Sequence, residues 1–233
     1  MADHQRVVVN GIRLAYRVYG RADAPPLVLL HALGEDSTDW NGVIDAFAAH
    51  RRVYALDLRG HGRSDWPGEY GLELMRDDVL GFLDTLSLAR VDVIGHSMGG
   101  MVAYLLAEEH PGRVGRLALE DIGAPMPRER RVPARPDGPL PYDWAMVTAI
   151  RAQIDDPDPV WLERLQEITA PTLVVGGGPA SPMPQERVAE LARRIRDSRH
   201  VTIPAGHLVH QADPEAFTRA VLAFLLGTED PPR

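Results

Sequence analysis

A serine with a glycine two residues away on either side, Gly95-His96-Ser97-Met98-Gly99, lies between a β-branched apolar run, Val91-Asp92-Val93-Ile94, and a stretch of helical pattern. Strand, sharp turn and helix in that order hold a serine hydroxyl exposed above the strand end, on a strained backbone where a Cβ at either glycine would crowd the turn. A serine hydroxyl is a poor nucleophile at neutral pH. It needs a base within hydrogen-bond reach, and the base needs an orienting acid. The chain offers nine histidines. His207 is the candidate base: it sits in Pro204-Ala205-Gly206-His207, after a strand and just before the last helix, where a loop can carry an imidazole across the sheet top. His96 adjoins Ser97 but leaves the elbow in another direction. His31 and His61 lie in Gly-containing turns and suit backbone hydrogen bonds that hold loop shape. His210, three residues after His207, is placed to act behind it. An anionic tetrahedral intermediate needs donors fixed where its charge develops. The Met98 amide, at a helix N-terminus whose dipole favours negative charge, is one candidate. The Leu33 amide, in the loop after the first buried strand, is the other.

These groups must be gathered by a framework, and the chain alternates strand and helix patterns to supply one. Residues 6–9 and 12–19 flank Asn10-Gly11, a hairpin signature. Residues 27–30 are wholly apolar, as in a central parallel strand. Trp40, Val43, Ile44 and Phe47 fall at helical spacing, followed by a strand at 52–56 and the Gly-rich loop from Asp57 to Asp65. Asp57 and Asp65 are read as holding that loop. A helix carries Leu72, Met75, Val79, Phe82 and Leu86 on one face; the serine strand and its helix follow, then a strand at 114–119 that stops at Glu120-Asp121. Six prolines between 125 and 141 break the pattern, and short helices are predicted near 142–153 and 159–167. Alternation resumes with strands at 172–175 and 199–203, a helix at 185–195 and a last helix from Pro214 capped by Asp213. A leading hairpin and then repeated strand–helix units predict an α/β fold with a mostly parallel central sheet and helices on both faces. Segments 1–121 and 169–233 form its core, and 122–168 is a short lid insertion. Ser97, Asp121, His207 and the 31–34 loop all fall at carboxyl ends of strands, where such sheets bind ligands.

Composition narrows the function. At 233 residues the chain suits one domain with an insertion. A net charge of −8 argues against nucleic acid or an anionic membrane as partner. Without cysteine there is no disulfide, thiolate metal site or cysteine nucleophile, which fits a cytoplasmic protein. No apolar run reaches membrane-span length, and the N-terminal residues lack a signal-peptide core. No phosphate loop and no metal-spaced His/Asp set is present, so neither cofactor nor metal is expected.

The succession His31-Ala32-Leu33-Gly34, Asp57-Leu58-Arg59-Gly60-His61-Gly62-Arg63-Ser64-Asp65, Gly95-His96-Ser97-Met98-Gly99 and Pro204-Ala205-Gly206-His207 resembles the α/β-hydrolase superfamily, close to its small esterase, lactonase and cofactor-free perhydrolase members. The resemblance covers nearly all the chain outside 122–168. It implies the α/β-hydrolase fold and a serine nucleophile, and says little of the substrate. Two departures stand out. Ala32 replaces the family's usual glycine. The turn that usually carries the acid reads Gly176-Gly177-Gly178-Pro179-Ala180-Ser181-Pro182, with no carboxylate. Relatives such as haloalkane dehalogenases carry their acid one strand earlier, seven residues beyond a valine matching Val114, which here is Asp121. Alternation turns the neighbouring Glu120 the other way. Asp121 is therefore the assigned acid, Glu120 the alternative, and a Ser–His dyad or an acid from the insertion the remaining possibility.

The predicted activity is hydrolysis of a small-molecule carboxylic ester or lactone through an acyl-enzyme at Ser97. A perhydrolase, acyltransferase or thioesterase using the same intermediate, and a non-catalytic binding relative, are the alternatives. Trp144 and Met146 in an apolar lid, with His31, are the candidate substrate contacts. Arg128, Arg130, Arg131 and Arg135 of the insertion are read as solvent-facing, with a substrate carboxylate as their alternative partner. The residues specify no oligomeric state.

Overall fold

The computed structural model describes residues 4–228. Eight strands form one sheet: β1 (Gln5–Val9), β2 (Ile12–Tyr19), β3 (Pro26–Leu30), β4 (Arg52–Leu56), β5 (Val91–His96), β6 (Val114–Glu120), β7 (Thr172–Gly176) and β8 (Ser198–Thr202). Their order is β1-β2-β4-β3-β5-β6-β7-β8. Only the hairpin strand pairs β1–β2 and β2–β4 are antiparallel; the other five pairs are parallel. Asn10 (φ 49°) and Gly11 (φ 82°) supply the two positive angles of the predicted turn.

The apolar strands are buried on both faces, because successive side chains alternate between two helix layers. Val28, Leu30, Val93, Leu117, Leu119 and Val174 meet α2 (Leu72–Thr85), α3 (Met98–Glu109) and α6 (Gln185–Arg194). Leu27, Leu29, Ile94, Ala118, Leu173 and Val175 meet α1 (Ile44–Ala48) and α8 (Pro214–Leu226). The segment 122–168 adds α4 (Trp144–Asp155) and α5 (Pro159–Arg164), and a single turn, α7 (Val209–Ala212), precedes α8. No described helix is long and apolar enough to cross a membrane.

Two elements differ from their sequence signals. The helical spacing through Trp40 and Phe47 is realised as a 3-10 turn (Ser37–Gly42) and then α1, with the break at Val43 (φ −128°). All four residues at that spacing still bury against one face. The first helix of the 122–168 segment starts at Trp144 rather than 142, because Asp143 caps it by accepting from the Ala145 amide.

Helix α3 is buried almost throughout and carries an unusual acid. Glu108 is 3% exposed, and its Oε1 has no hydrogen-bond partner. Burial pushes its carboxyl up to about 8. A folded pKa above the ordinary 4.5 means stability that is full below pH 4.5 and lost as pH rises through 8. Glu108→Gln is therefore expected to be more stable than wild type at pH 9, by up to about 5 kcal/mol, and little changed at pH 5. Urea melts at the two pH values check it; equal gains at both would exclude a titrating Glu108.

Candidate active site

Ser97 occupies the tight turn between β5 and α3, with φ 49° and ψ −114°, a region costly for a residue with a Cβ. The glycines around it are required by close approach. A Cβ on Gly95 would lie 2.5 Å from the Gly99 carbonyl oxygen, and one on Gly99 would lie 2.2 Å from that of Leu30. The Gly99 amide donates to the His31 carbonyl (3.1 Å), which draws the loop after β3 against the elbow. Among the described residues the Leu33 and Met98 amides have no hydrogen-bond acceptor.

Two buried imidazoles shape the loop that carries Leu33. His31 Nε2 accepts from the Leu58 amide (3.0 Å), and its Nδ1 donates to the Ala32 carbonyl (2.7 Å). His61 Nε2 accepts from the Gly34 amide (3.2 Å), and its Nδ1 donates to the Arg59 carbonyl (3.1 Å). Burial, and then the nearby His31, hold His61 well below the ordinary histidine range, so it remains an acceptor at neutral pH. Asp57 braces the same region by accepting from the Ser37 (2.8 Å) and Arg63 (2.9 Å) amides.

The loop after β8 brings His207 over the sheet. Its Nε2 lies 3.1 Å from Ser97 Oγ, and its Nδ1 lies 2.6 Å from Asp121 Oδ2. Asp121 follows β6 directly, has φ 44° and is fully buried. Burial alone would raise its carboxyl. Hydrogen bonds from His207, Ser181, the Gly177 amide and Gln185 outweigh that and hold it below the ordinary carboxylate range. The Gly177 amide donates at 2.8 Å, Gln185 Nε2 at 3.3 Å, and the Ser181 hydroxyl donates to Oδ2.

Ser181 and Gln185 were not marked by the sequence. They belong to the turn after β7 and the start of α6, so the acid-free turn donates hydrogen bonds to an acid on the neighbouring strand. Gly177 lets it approach: a Cβ there would lie 2.0 Å from the Gly206 carbonyl oxygen and 3.1 Å from Asp121 Oδ1. Ser181→Ala is expected to lower kcat about tenfold, the loss of one hydrogen bond to a charged acceptor, with KM little changed. A pH profile of kcat checks this; an unaltered kcat and profile would mean Asp121 does not need the hydroxyl.

Glu120 faces the other way. Its carboxylate takes His210 Nδ1 (2.9 Å) and the His210 amide (2.9 Å), while His210 Nε2 meets Asp39 Oδ1 (3.1 Å). His96 adjoins this group, with Nε2 donating to the His207 carbonyl (2.9 Å) and Nδ1 3.8 Å from Asp39 Oδ2. Ligand atoms of His96, Glu120 and His210 all lie within 4.8 Å of one another, a separation that invites comparison with a metal site. Both His210 ring nitrogens already face carboxylate oxygens. The chemistry of that set is a shared proton rather than a cation.

A cavity of about 500 Å³ opens beside Ser97 and His207, floored by Met98, Met101, Ile122 and Ala124. The predicted substrate contacts do not line it. His31 is fully buried beneath the loop it braces. Met146 is also fully buried, lying where a Cβ on Gly60 would touch it at 3.0 Å. Trp144 packs against the core cluster. Helix α4 instead presents Arg151 and Ile154 to the cavity. Arg128 and Arg131 also line it, Arg128 half-buried and Arg131 exposed as the solvent-facing reading had it, so both readings of these arginines, solvent or a substrate carboxylate, meet at the cavity rim.

An eight-stranded, mostly parallel sheet with a strained serine elbow defines an α/β-hydrolase framework, and the comparisons with known proteins agree. The profile of the alpha/beta hydrolase fold matches residues 25–145, just over half the chain. The chain belongs to this family. An uncharacterized protein of Mycobacterium tuberculosis is 40% identical over 116 residues, 49% of this chain but only 33% of its own length; the chain thus spans about a third of that relative. A putative carbamate hydrolase, RutD of Rhizobium rhizogenes, is 29% identical over 90% of this chain and 97% of its own. Among solved structures, the enol-lactonase of Burkholderia xenovorans superposes with a TM-score of 0.78 at 28% identity, covering 95% of this chain and all of that one. Est816, described as an N-acyl homoserine lactone degrading enzyme, gives 0.76 at 27% identity, over 94% and 100%.

Proposed function

We propose that the protein is a serine hydrolase that cleaves a small carboxylic ester or lactone through an acyl-enzyme on Ser97. The observation that carries this is the unbroken hydrogen-bonded run Ser97 Oγ–His207 Nε2 (3.1 Å) and His207 Nδ1–Asp121 Oδ2 (2.6 Å). In the forward step Ser97 Oγ attacks the carbonyl carbon and its proton passes to His207 Nε2. Asp121, kept ionised by its four donors, holds the Nδ1–H tautomer and stabilises the imidazolium. The amides of Met98 and Leu33 take the oxyanion. Collapse expels the alkoxide, which receives the proton from His207. Water then adds to the acyl-enzyme, giving its proton to His207, and the acid leaves as Ser97 recovers its hydrogen.

In this reading the segment 122–168 is the lid, and it forms one wall of the cavity. It is stitched to the 59–64 loop by Gly62 N to Pro141 O (2.9 Å) and Asp143 N to Gly60 O (2.8 Å), which favours a lid fixed along this edge. The likeness to the enol-lactonase and to the N-acyl homoserine lactone degrading enzyme supports the reaction class. Labelling with a fluorophosphonate tests it. One equivalent on wild type, with none on Ser97→Ala, is the expected result. A folded wild-type protein that stays unlabelled would favour a binding protein on the same frame.

A further inference from the structure

The cavity lining has a cationic part beside its apolar one. Arg128, Arg131, Arg151 and Arg187 all line it, and Glu129 is the one acid among the lining side chains. This is unexpected in a chain whose net charge is −8. The acids near the four guanidiniums are fewer than the guanidiniums themselves. Arg128 pairs with the buried Asp155 (Nε–Oδ1, 2.6 Å). The other Asp155 oxygen accepts the Arg131 backbone amide (2.9 Å) rather than its guanidinium. Arg187 spends both terminal nitrogens on neutral acceptors, the Met126 (2.9 Å) and Pro127 (3.1 Å) carbonyls, so its charge is positioned but not cancelled. The Arg131 and Arg151 side chains make no hydrogen bond or ion pair among the described residues. With Asp155 and Glu129 set against four arginines, the wall keeps a net charge of about +2 next to a low-dielectric floor, where field lines concentrate.

The four arginines come from three separate segments, which makes an accident of one surface helix a poor explanation. Arg128 and Arg131 come from the irregular stretch before α4, Arg151 from α4 itself and Arg187 from α6. The planar fork of a guanidinium suits a carboxylate held by two parallel hydrogen bonds. The cavity, about 500 Å³, is of a size for a small acyl compound.

We infer that the hydrolase site takes esters or lactones bearing a carboxylate, which Arg151 and Arg131 receive on the lid side while the reacting carbonyl lies at Ser97, with Arg187 adding fixed positive charge. This rests on the hydrolase reading and narrows its substrate class.

The test compares mono-4-nitrophenyl adipate with its neutral methyl ester, 4-nitrophenyl methyl adipate. A second pair, 3-carboxy-4-nitrophenyl and 4-nitrophenyl butyrate, moves the carboxylate to the leaving group. In at least one pair the acid should have the larger kcat/KM by about tenfold, and added salt should shrink the advantage, since it screens exposed charge. In the double variant Arg131→Gln/Arg151→Gln the ratio should fall to near one. Because it compares two rates in one preparation, any loss of folded enzyme cancels. Arg130→Gln, on the same segment but off the cavity wall, should keep the wild-type ratio. Adipate and inorganic phosphate, each added as an inhibitor of the neutral ester, separate carboxylate recognition from general anion binding: inhibition by adipate at lower concentration is expected. Turnover of neutral esters with both ratios near one, or inhibition by phosphate alone, overturns the carboxylate pocket and leaves the hydrolase reading standing. Absence of turnover of every ester together with an unlabelled Ser97 overturns the hydrolase reading itself.

Discussion

Asp121→Asn is expected to slow the single-turnover release of 4-nitrophenol from 4-nitrophenyl acetate by about 10⁴-fold, the size of effect known when the acid of a serine–histidine pair is neutralised in place. The reason is the number of donors converging on one carboxylate. His207 Nδ1, the Ser181 hydroxyl, the Gly177 amide and Gln185 Nε2 all point at Asp121. An asparagine has one acceptor oxygen. If that oxygen keeps the Gly177 amide, its NH2 faces His207 and Ser181. The imidazole must then accept at Nδ1 and carry its proton on Nε2, where it can no longer take the proton of Ser97. The side-chain volume hardly changes, so a folded protein with an intact cavity is expected. A rate near wild type in Asp121→Asn, beside an inert Ser97→Ala, would remove Asp121 from the mechanism. Glu120 would be a poor substitute, since its oxygens are already occupied by His210.

Much of this arrangement could be read from the chain because it depends on short-range pattern. The elbow needs a β-branched run, two glycines and a helix start, all within ten residues. The position of Asp121 follows from register: β5 and β6 run parallel with His96 beside Glu120, so the residues that follow each strand, Ser97 and Asp121, leave the sheet side by side. What could not be read depends on folding back over distance. Ser181 and Gln185 reach Asp121 across more than fifty residues, and nothing in a turn rich in glycine and proline announces an acceptor one strand away. The segment 122–168 misled for a related reason. Trp144 and Met146 look like substrate contacts by composition, but the helical turn that carries Met146 faces inward with Val147 and Ile150, while Arg151 and Ile154, on the last turns, meet the cavity. Which turn of an amphipathic helix faces a core and which a cavity is decided by the partner it docks against, here the Gly60 loop.

The buried group behind His207 leads to the largest expected loss of stability. Glu120→Ala should cost about 3–5 kcal/mol, because it removes one of two carboxylates that sandwich a buried imidazolium. Burial opposes the charge on His210, but hydrogen bonds and attraction from Asp39 and Glu120 prevail and push it up to about 10. Asp39 is correspondingly held low: burial would raise it, and His210 and His96 outweigh that. A histidine with a raised folded pKa contributes stability that is full below its ordinary value of 6.5 and is lost as pH climbs through 10. Between those limits wild type should lose stability with a slope approaching about 1.4 kcal/mol per pH unit. Glu108 titrates in an overlapping window, so the experiment belongs in a Glu108→Gln background, where the remaining alkaline loss reports His210 together with His96, which Glu120 and Asp39 also push up. There, Glu120→Gln should shorten the window by lowering the folded pKa of His210, and urea melts from pH 6 to 10 would show the profile flattening at its upper end. Activity is linked to the same group, because His96 lies beside His210 and its Nε2–H holds the His207 carbonyl. Variants that loosen the pair should therefore lose kcat before they unfold. A Glu120→Gln profile parallel to its parent, with kcat unchanged, would mean that His210 is neutral in the folded protein and that the group merely fills space behind the site.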